Sequence, residues 1–238
     1  MKFYSIFQIK RVMDLFLGVA MLVIAAPLMI AIAISIVLTS RGPFVYKQKR
    51  NGAFRPEKDE QSVFILYKFR TMVADAEKRT GVVLSRKNDP RTTSIGRILR
   101  KTRLDELPQL VNVVRGDMSI VGPRPERPEL MQLLSLSIPF FEERLRNIKP
   151  GITGLAQVNL TYNGQPEKNS PLKALESSLA GEVEAGGLGE DDTDGMRFKF
   201  LYDMAYGAAL ERFSSFLKTD LSIMLKTPVV MFVKMTGR

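Results

Sequence analysis

Two adjacent carboxylates, Asp105 and Glu106, follow four cations, Arg97, Arg100, Lys101 and Arg103, and stand just before Pro108. Their weight comes from what the chain lacks. Its 238 residues include no histidine and no cysteine. That excludes an imidazole base, a Ser-His-Asp triad, a Cys–His pair and zinc sites built on Cys or His. Catalysis then falls to carboxylates, Lys, Arg, Tyr, hydroxyls or a hard, oxygen-bound cation such as Mg²⁺. Carboxylates flanked by cations stay ionised. An adjacent pair can divide labour, one attacking and the other ligating a divalent cation. The same spacing also fits helix-surface pairing, such as Arg103 with Glu106 at i,i+3.

Two further stretches suit phosphate. Lys68, Arg70 and Thr71 follow a strand-like run, and cations with a hydroxyl at a strand end bind anionic oxygens well. In Gly122-Pro123-Arg124-Pro125 two prolines fix the backbone around Arg124, so its guanidinium is presented at little ordering cost. The bland alternatives are a snorkelling Lys/Arg pair at a membrane interface and a rigid surface turn. Asp203 is an isolated acid. No phosphate loop of the GxxxxGK[ST] type, zinc-finger spacing or RNP aromatic motif is present.

Those residues need elements to hold them. The chain carries 35 Lys+Arg against 25 Asp+Glu, a net +10. This predicts an anionic partner. Leu15 to Leu38 is a run of 24 uncharged residues, about 36 Å as a helix and enough to cross a hydrocarbon core of about 30 Å. Its length and flanks do not fit a secretory signal. Pro27 sits near its middle and removes a backbone donor. Lys10 and Arg11 precede the run; Arg41, Lys47, Lys49 and Arg50 follow it. The positive-inside rule therefore accepts both flanks as cytoplasmic. On these residues a re-entrant helix-break-helix and an ordinary span with a tolerated proline stand about level.

Beyond it, Arg41 to Glu60 is polar, with Asn51-Gly52 as a turn signal. Ser62 to Arg70 reads as a strand. Val73 to Lys78 could begin a helix, and Asn88-Asp89-Pro90 is a turn before one. Apolar spacing from Ile95 to Val114 is helical, with Pro108 separating two helices. Leu155 to Val158 reads as a short strand. Glu167 to Gly195 holds eight acids, two lysines and five glycines. This is read as a flexible acidic insertion, 165–195, which leaves +16 on the rest. Phe213 to Val233 fits an interfacial helix or an amphipathic core helix equally. The fold class expected is mainly α with short β-strands (α+β). Residues 1–40 form a membrane unit, and 41–238 a small globular catalytic domain with interfacial amphipathic helices.

At this point the chain resembles the bacterial sugar transferase family, the monotopic polyprenyl-phosphate phosphoglycosyl transferases. The resemblance rests on KR-x-x-D at 10–14, QKRNG at 48–52, YKFRTM at 67–72 and NDPR at 88–91. It continues in GRILRKTRLDELPQL at 96–110, GDMSIVGPRPERP at 116–128 and KPGITGLAQVN at 149–159. It implies a re-entrant membrane helix and action at the cytoplasmic face of the bacterial inner membrane. It also implies transfer of a sugar-1-phosphate from a UDP-sugar to undecaprenyl phosphate, releasing UMP. Asp105 falls on the family's nucleophile and Glu106 on its Mg²⁺-associated partner. Arg124 matches a nucleotide-phosphate contact; Lys68, Arg70 and Arg103 would line the phosphate site. Asp203 matches an acid of the family's C-terminal segment and is carried over as a second metal ligand. The implied partners are the nucleotide sugar, undecaprenyl phosphate and membrane lipids, with no nucleic acid; homo-oligomerisation stays open. Relative to the family, Ala26 replaces the usual Ser before Pro27, and only the catalytic module is expected. A second reading is a non-catalytic basic membrane scaffold, against which retention of both Asp105 and Glu106 speaks.

Overall fold

In the computed structural model the chain is described for residues 3–74, 76, 89–161, 165 and 190–236. Helix α1 (Phe3–Thr39) is 37 residues long, about 55 Å at 1.5 Å per residue. It is apolar and long enough to cross a membrane from Ile6 to Thr39. The expected break does not interrupt it: the chain stays helical through Pro27. A proline deletes one backbone bond and strains one turn, which a long apolar helix can absorb.

An antiparallel hairpin follows, β1 (Val45–Arg55) and β2 (Glu60–Phe69), joined by a 3-10 turn at Pro56–Lys58. β1 was not anticipated. Asn51-Gly52, read as a turn, lies inside it at an irregularity where the register shifts between Asn51 and Phe54. Glycine suits such a bulge, and a Cβ on Gly52 would stand 2.6 Å from Ser62 Oγ. The part of 73–78 that is described is a turn rather than a helix.

Helix α2 (Ser94–Thr102) starts at the N-cap Thr93, whose hydroxyl accepts from Gly96 N. It sits so close to the end of β2 that a Cβ on Gly96 would lie 2.0 Å from Thr71 O. Arg103, at φ 58°, ends α2 and starts the 3-10 turn Leu104–Glu106. Helix α3 (Gln109–Arg115) begins after Pro108 and ends at Gly116 with φ 90°. The separation expected at Pro108 is thus present. Next come β3 (Ser119–Val121), α4 (Pro128–Ser137) and β4 (Gly151–Thr153), with β3 and β4 parallel. Leu155 to Val158, expected as a strand, falls in the short helix α5 (Leu155–Asn159). Its flat 155–158 run is too short to show a period, and the strand lies four residues earlier.

Two long helices complete the chain: α6 (Glu190–Ala209) and α7 (Phe213–Thr236). The acidic stretch 165–195 lies outside the described residues except for Gln165 and 190–195, which open α6.

The largest core cluster joins α1 to the rest of the chain through Ile6, Val113, Met118, Ile120, Tyr206, Phe216 and Ile223. The KR-x-x-D motif stitches the same seam. Lys10 Nζ donates to Asp220 Oδ2 at 2.5 Å, and Tyr206 donates to Asp220 Oδ1 at 2.9 Å. Arg11 donates to the carbonyls of Val113 and Val114 in the last turn of α3. Asp14 accepts from Ile120 N on β3. The other end of α1 is held too. Ile32 and Ile36 pack with Phe69 and Leu99.

Candidate active site

The dyad sits on the 3-10 turn between α2 and α3, and both carboxylates are buried, each 8% exposed. Arg103 makes that possible. Its left-handed backbone, unusual for a non-glycine residue, reverses the chain so that Asp105 and Glu106 point inward.

Three cations converge on one oxygen of Glu106. Arg124 Nη2 donates to Oε1 at 2.8 Å and Lys68 Nζ at 3.2 Å; Arg103 Nη1 lies 3.6 Å away. Burial opposes ionisation of Glu106, but Arg124, Lys68 and Arg103 outweigh it and hold the carboxyl well below its usual range. Glu106 in turn raises the Arg124 guanidinium. Lys68 is lowered, mainly by burial. Asp105 behaves oppositely. Burial, then the charge of Glu106, push its carboxyl up, and Oδ1 is buried with no hydrogen-bond partner. One carboxylate is thus committed to cations. The other keeps an uncommitted oxygen.

The dyad opens into a cleft of about 710 Å³. Its lining includes ten cations (Arg50, Lys68, Arg70, Arg91, Arg100, Lys101, Arg103, Arg124, Arg127 and Lys234) against two acids, Asp105 and Glu106. This concentrated charge suits a diphosphate. Apolar lining comes from Pro43, Val45, Phe69, Met72, Val73 and Met231, among others.

Crossed loops position Arg124. Gly122 N donates to Thr153 O at 2.8 Å, and Gly151 N to Pro123 O at 2.9 Å. A Cβ on Gly151 would meet Gly122 N at 2.1 Å, and one on Gly154 would meet Gly122 O at 2.2 Å. The GPRP and PGITG motifs are therefore two faces of one contact, close enough only because neither carries a side chain there.

Of the expected site residues, the structure brings together Lys68, Arg103, Asp105, Glu106 and Arg124. Arg70 lines the cleft, but its guanidinium bonds to the chain at the end of α1. Asp203 has a different place from the one expected. Its Oδ2 takes Arg144 Nε and Nη2, each at 2.8 Å, and it is absent from the cleft lining. Asp203 thus sits in a buried ion pair with Arg144, outside the cleft where a second metal ligand was expected. Sequence reading missed Arg144, Glu126 and Arg50 as supports. Arg144 is 1% exposed and reaches Glu126 at 3.9 Å; Arg50 donates to Pro125 O at 3.0 Å. No local pattern marks these supporting contacts, since Glu126 and Asp203 lie 18 and 59 residues from Arg144 and Pro125 lies 75 from Arg50.

The fold and cleft define a small α+β body packed on a long apolar helix, with two buried carboxylates at the floor of a cationic cleft. The bacterial sugar transferase family model matches residues 5–234, and the chain belongs to that family. A Bacillus subtilis protein provisionally named as an undecaprenyl-phosphate N-acetylgalactosaminyl 1-phosphate transferase is 48% identical over 138 residues, 58% of this chain and 73% of that protein. The UDP-N-acetylgalactosamine-undecaprenyl-phosphate N-acetylgalactosaminephosphotransferase of Aeromonas hydrophila is 41% identical over 63% of this chain and 34% of its own length. An undecaprenyl-phosphate glucose phosphotransferase of Komagataeibacter xylinus is 42% identical over 63% of this chain and 27% of its own length. The chain thus spans about a third or less of the latter two relatives.

Proposed function

We propose that this chain transfers a sugar-1-phosphate from a UDP-sugar to undecaprenyl phosphate, the first membrane step in building a bacterial polysaccharide or glycoconjugate. The observation that carries the reading is the asymmetry of the dyad. Glu106 is fixed by three cations, while Asp105 keeps a buried, unpartnered oxygen in a strongly cationic cleft.

In the first half-reaction an oxygen of Asp105 attacks the sugar-bearing phosphorus of the donor. The bond from that phosphorus to the bridging oxygen breaks, UMP leaves with that oxygen, and an acyl phosphate remains on Asp105. In the second half-reaction an oxygen of the lipid phosphate attacks the same phosphorus and frees the carboxylate, giving a polyprenyl-diphosphate sugar. One phosphoanhydride is broken and one made. Lys68, Arg103 and Arg124 stabilise charge gathering on the phosphoryl oxygens, the kind of pre-set electrostatics that usually contributes most to catalysis. The raised Asp105 carboxyl is a stronger nucleophile once ionised. Its burial keeps water from the acyl phosphate until the acceptor arrives.

For Mg²⁺ the residues fit in part. Magnesium commonly takes one or two carboxylates and completes its shell with substrate phosphates and water. Glu106, with Asp105 beside it, offers that much; Asp203 does not. No cluster of three or more metal-ligating side chains occurs among the described residues. When bound, the ion would neutralise diphosphate oxygens.

Both ends of α1 bond to the same body, through Lys10 and Arg11 at one end and Ser40 and Arg41 at the other. We read both ends as lying on one side of the bilayer. This supports a helix that lies along the body at the membrane surface, uninterrupted at Pro27, and the basic residues on both flanks argue for the cytoplasmic face.

The test supplies the detergent-solubilised chain with undecaprenyl phosphate, Mg²⁺ and a panel of UDP-sugars, and identifies the released nucleotide. UMP is expected. Release of UDP would instead mean direct glycosyl transfer, and no release with any donor would favour the scaffold reading.

A further inference from the structure

Arg70 stands at the end of β2, two residues beyond Lys68, where a phosphate ligand would be expected. Its hydrogen bonds go elsewhere. Nη1 donates to Arg41 O at 2.6 Å, and Nη2 to Ser40 O and Ser40 Oγ, both at 2.7 Å. These oxygens lie immediately past the end of α1. Helix α1 has no cation in its own last turn, although its terminal carbonyls carry the negative end of the helix dipole. Arg70 supplies that cation from β2. The fit is close: Gly42, at φ 113°, is the only residue type that leaves room, since a Cβ there would lie 2.3 Å from Nη1.

The residues around Arg70 each reach a different element. Lys68 reaches Glu106. Phe69 packs on Ile32, Ile36 and Leu99. Thr71 accepts from Arg100 Nε at 2.8 Å, and its carbonyl accepts from Thr93 N at 3.0 Å. Four consecutive residues thus connect the dyad, the membrane helix and α2.

We propose that Arg70 is a positioning residue, a clamp that sets the end of the membrane helix against the strand carrying Lys68 and so registers the dyad with respect to the bilayer. It acts through the helix end rather than on substrate. The kinetic part of this inference rests on the transferase reading; the structural part does not.

The chain has no cysteine, so the pair Leu38→Cys and Glu57→Cys can be spin-labelled cleanly, one label near the end of α1 and one at the hairpin tip. The distance distribution would be measured in lipid nanodiscs, alone and combined with Arg70→Lys or Arg70→Gln. Lysine keeps the charge but cannot fork to two carbonyls and a hydroxyl. The expected result is a single narrow distribution that broadens or shifts in both variants. Turnover should fall about tenfold or more, the scale set by small misplacements of catalytic groups, with donor KM within about twofold. An unchanged distribution overturns the proposal. So does a large rise in donor KM with turnover preserved, which would make Arg70 a substrate ligand. If no donor turns over, the distance measurement alone still decides whether the clamp exists.

Discussion

Arg144 donates from Nη2 to the main-chain carbonyl of Arg124 at 2.8 Å. The same guanidinium holds Asp203 through Nε and Nη2 and stacks 4.9 Å from the Phe141 ring centre. Arg124 is therefore gripped twice: its backbone from behind by Arg144, its side chain in front by Glu106. A proline on each side completes the restraint.

Replacing Arg144 should damage both stability and rate. Arg144→Met leaves Asp203 buried without its cation and, among the described residues, Glu126 with Arg50 alone, which costs about 3 kcal/mol or more. Denaturant unfolding in detergent would read this. Arg144→Lys should keep more of the stability yet still lower turnover, because an ammonium cannot serve Asp203 and Arg124 O in the same planar geometry. If Arg144→Lys turns over normally, the grip on Arg124 is unimportant.

Asp203 should impose an inflection on activity near pH 6. Burial pushes its carboxyl up from 3.8 to about 6 despite Arg144. The folded pKa lies above the unfolded one, so between these values the folded chain binds more protons and this group's contribution to stability rises as pH falls. Above about 6 the carboxylate is ionised and pairs with Arg144; below it the pairing weakens. Turnover should thus decline through pH 6 without a parallel loss of thermal stability from this group. The inflection should be absent from the pH profile of Asp203→Asn.

Asp105→Asn should abolish the covalent phosphosugar adduct and lower turnover roughly 10³-fold or more, as removal of a nucleophile does. Intact-protein mass spectrometry after incubation with donor alone is the direct readout. An adduct that persists in the variant would move the nucleophile elsewhere.

Gly151→Ala should be severe for a small change. The added carbon would press on Gly122 N, and overpacking against backbone costs about 1–3 kcal/mol. Because Gly122 begins the turn that carries Arg124, activity should fall further than the lost stability explains. Comparing folded fraction with specific activity separates the two.

Lys10 and Asp220, 210 residues apart, should couple strongly. Each single removal, Lys10→Met or Asp220→Leu, leaves a buried partner charge and should cost about 3–5 kcal/mol. The double variant should recover much of that, because no lone charge remains. Additive losses in unfolding experiments would show that the pair is not coupled.

Local patterns made much of this legible. The apolar run gave α1, a short β-branched and aromatic run gave β2, and the Asp-Glu pair in a chain without His or Cys gave the centre of the candidate site. What stayed hidden depends on distant partners. β1 was obscured because its bulge at Asn51-Gly52 uses the residues of a turn. Leu155–Asn159 was too short for a period to distinguish helix from strand. Arg70 and Asp203 were recognised as important, but chemistry alone does not say whether a cation at a strand end meets a phosphate or the end of a neighbouring helix. Nor does it say whether a lone acid meets a metal or an arginine. Arg144 carries no local signal at all. Its role exists only once Arg124, Glu126 and Asp203 have been folded around it.

The seams along α1 bear on how interchangeable the parts of this protein are. A membrane anchor attached by a linker can be exchanged for any other hydrophobic segment. This one cannot, because Ile6 and Ile36 are completed core residues, fully buried, and Lys10, Arg11 and Asp14 occupy partners on three different elements. A transplanted helix of equal hydropathy would leave Val113, Phe216 and Leu99 without their packing partners. The transmembrane-length helix and the catalytic body are thus a single folding unit, and substitutions in one should be compensated in the other.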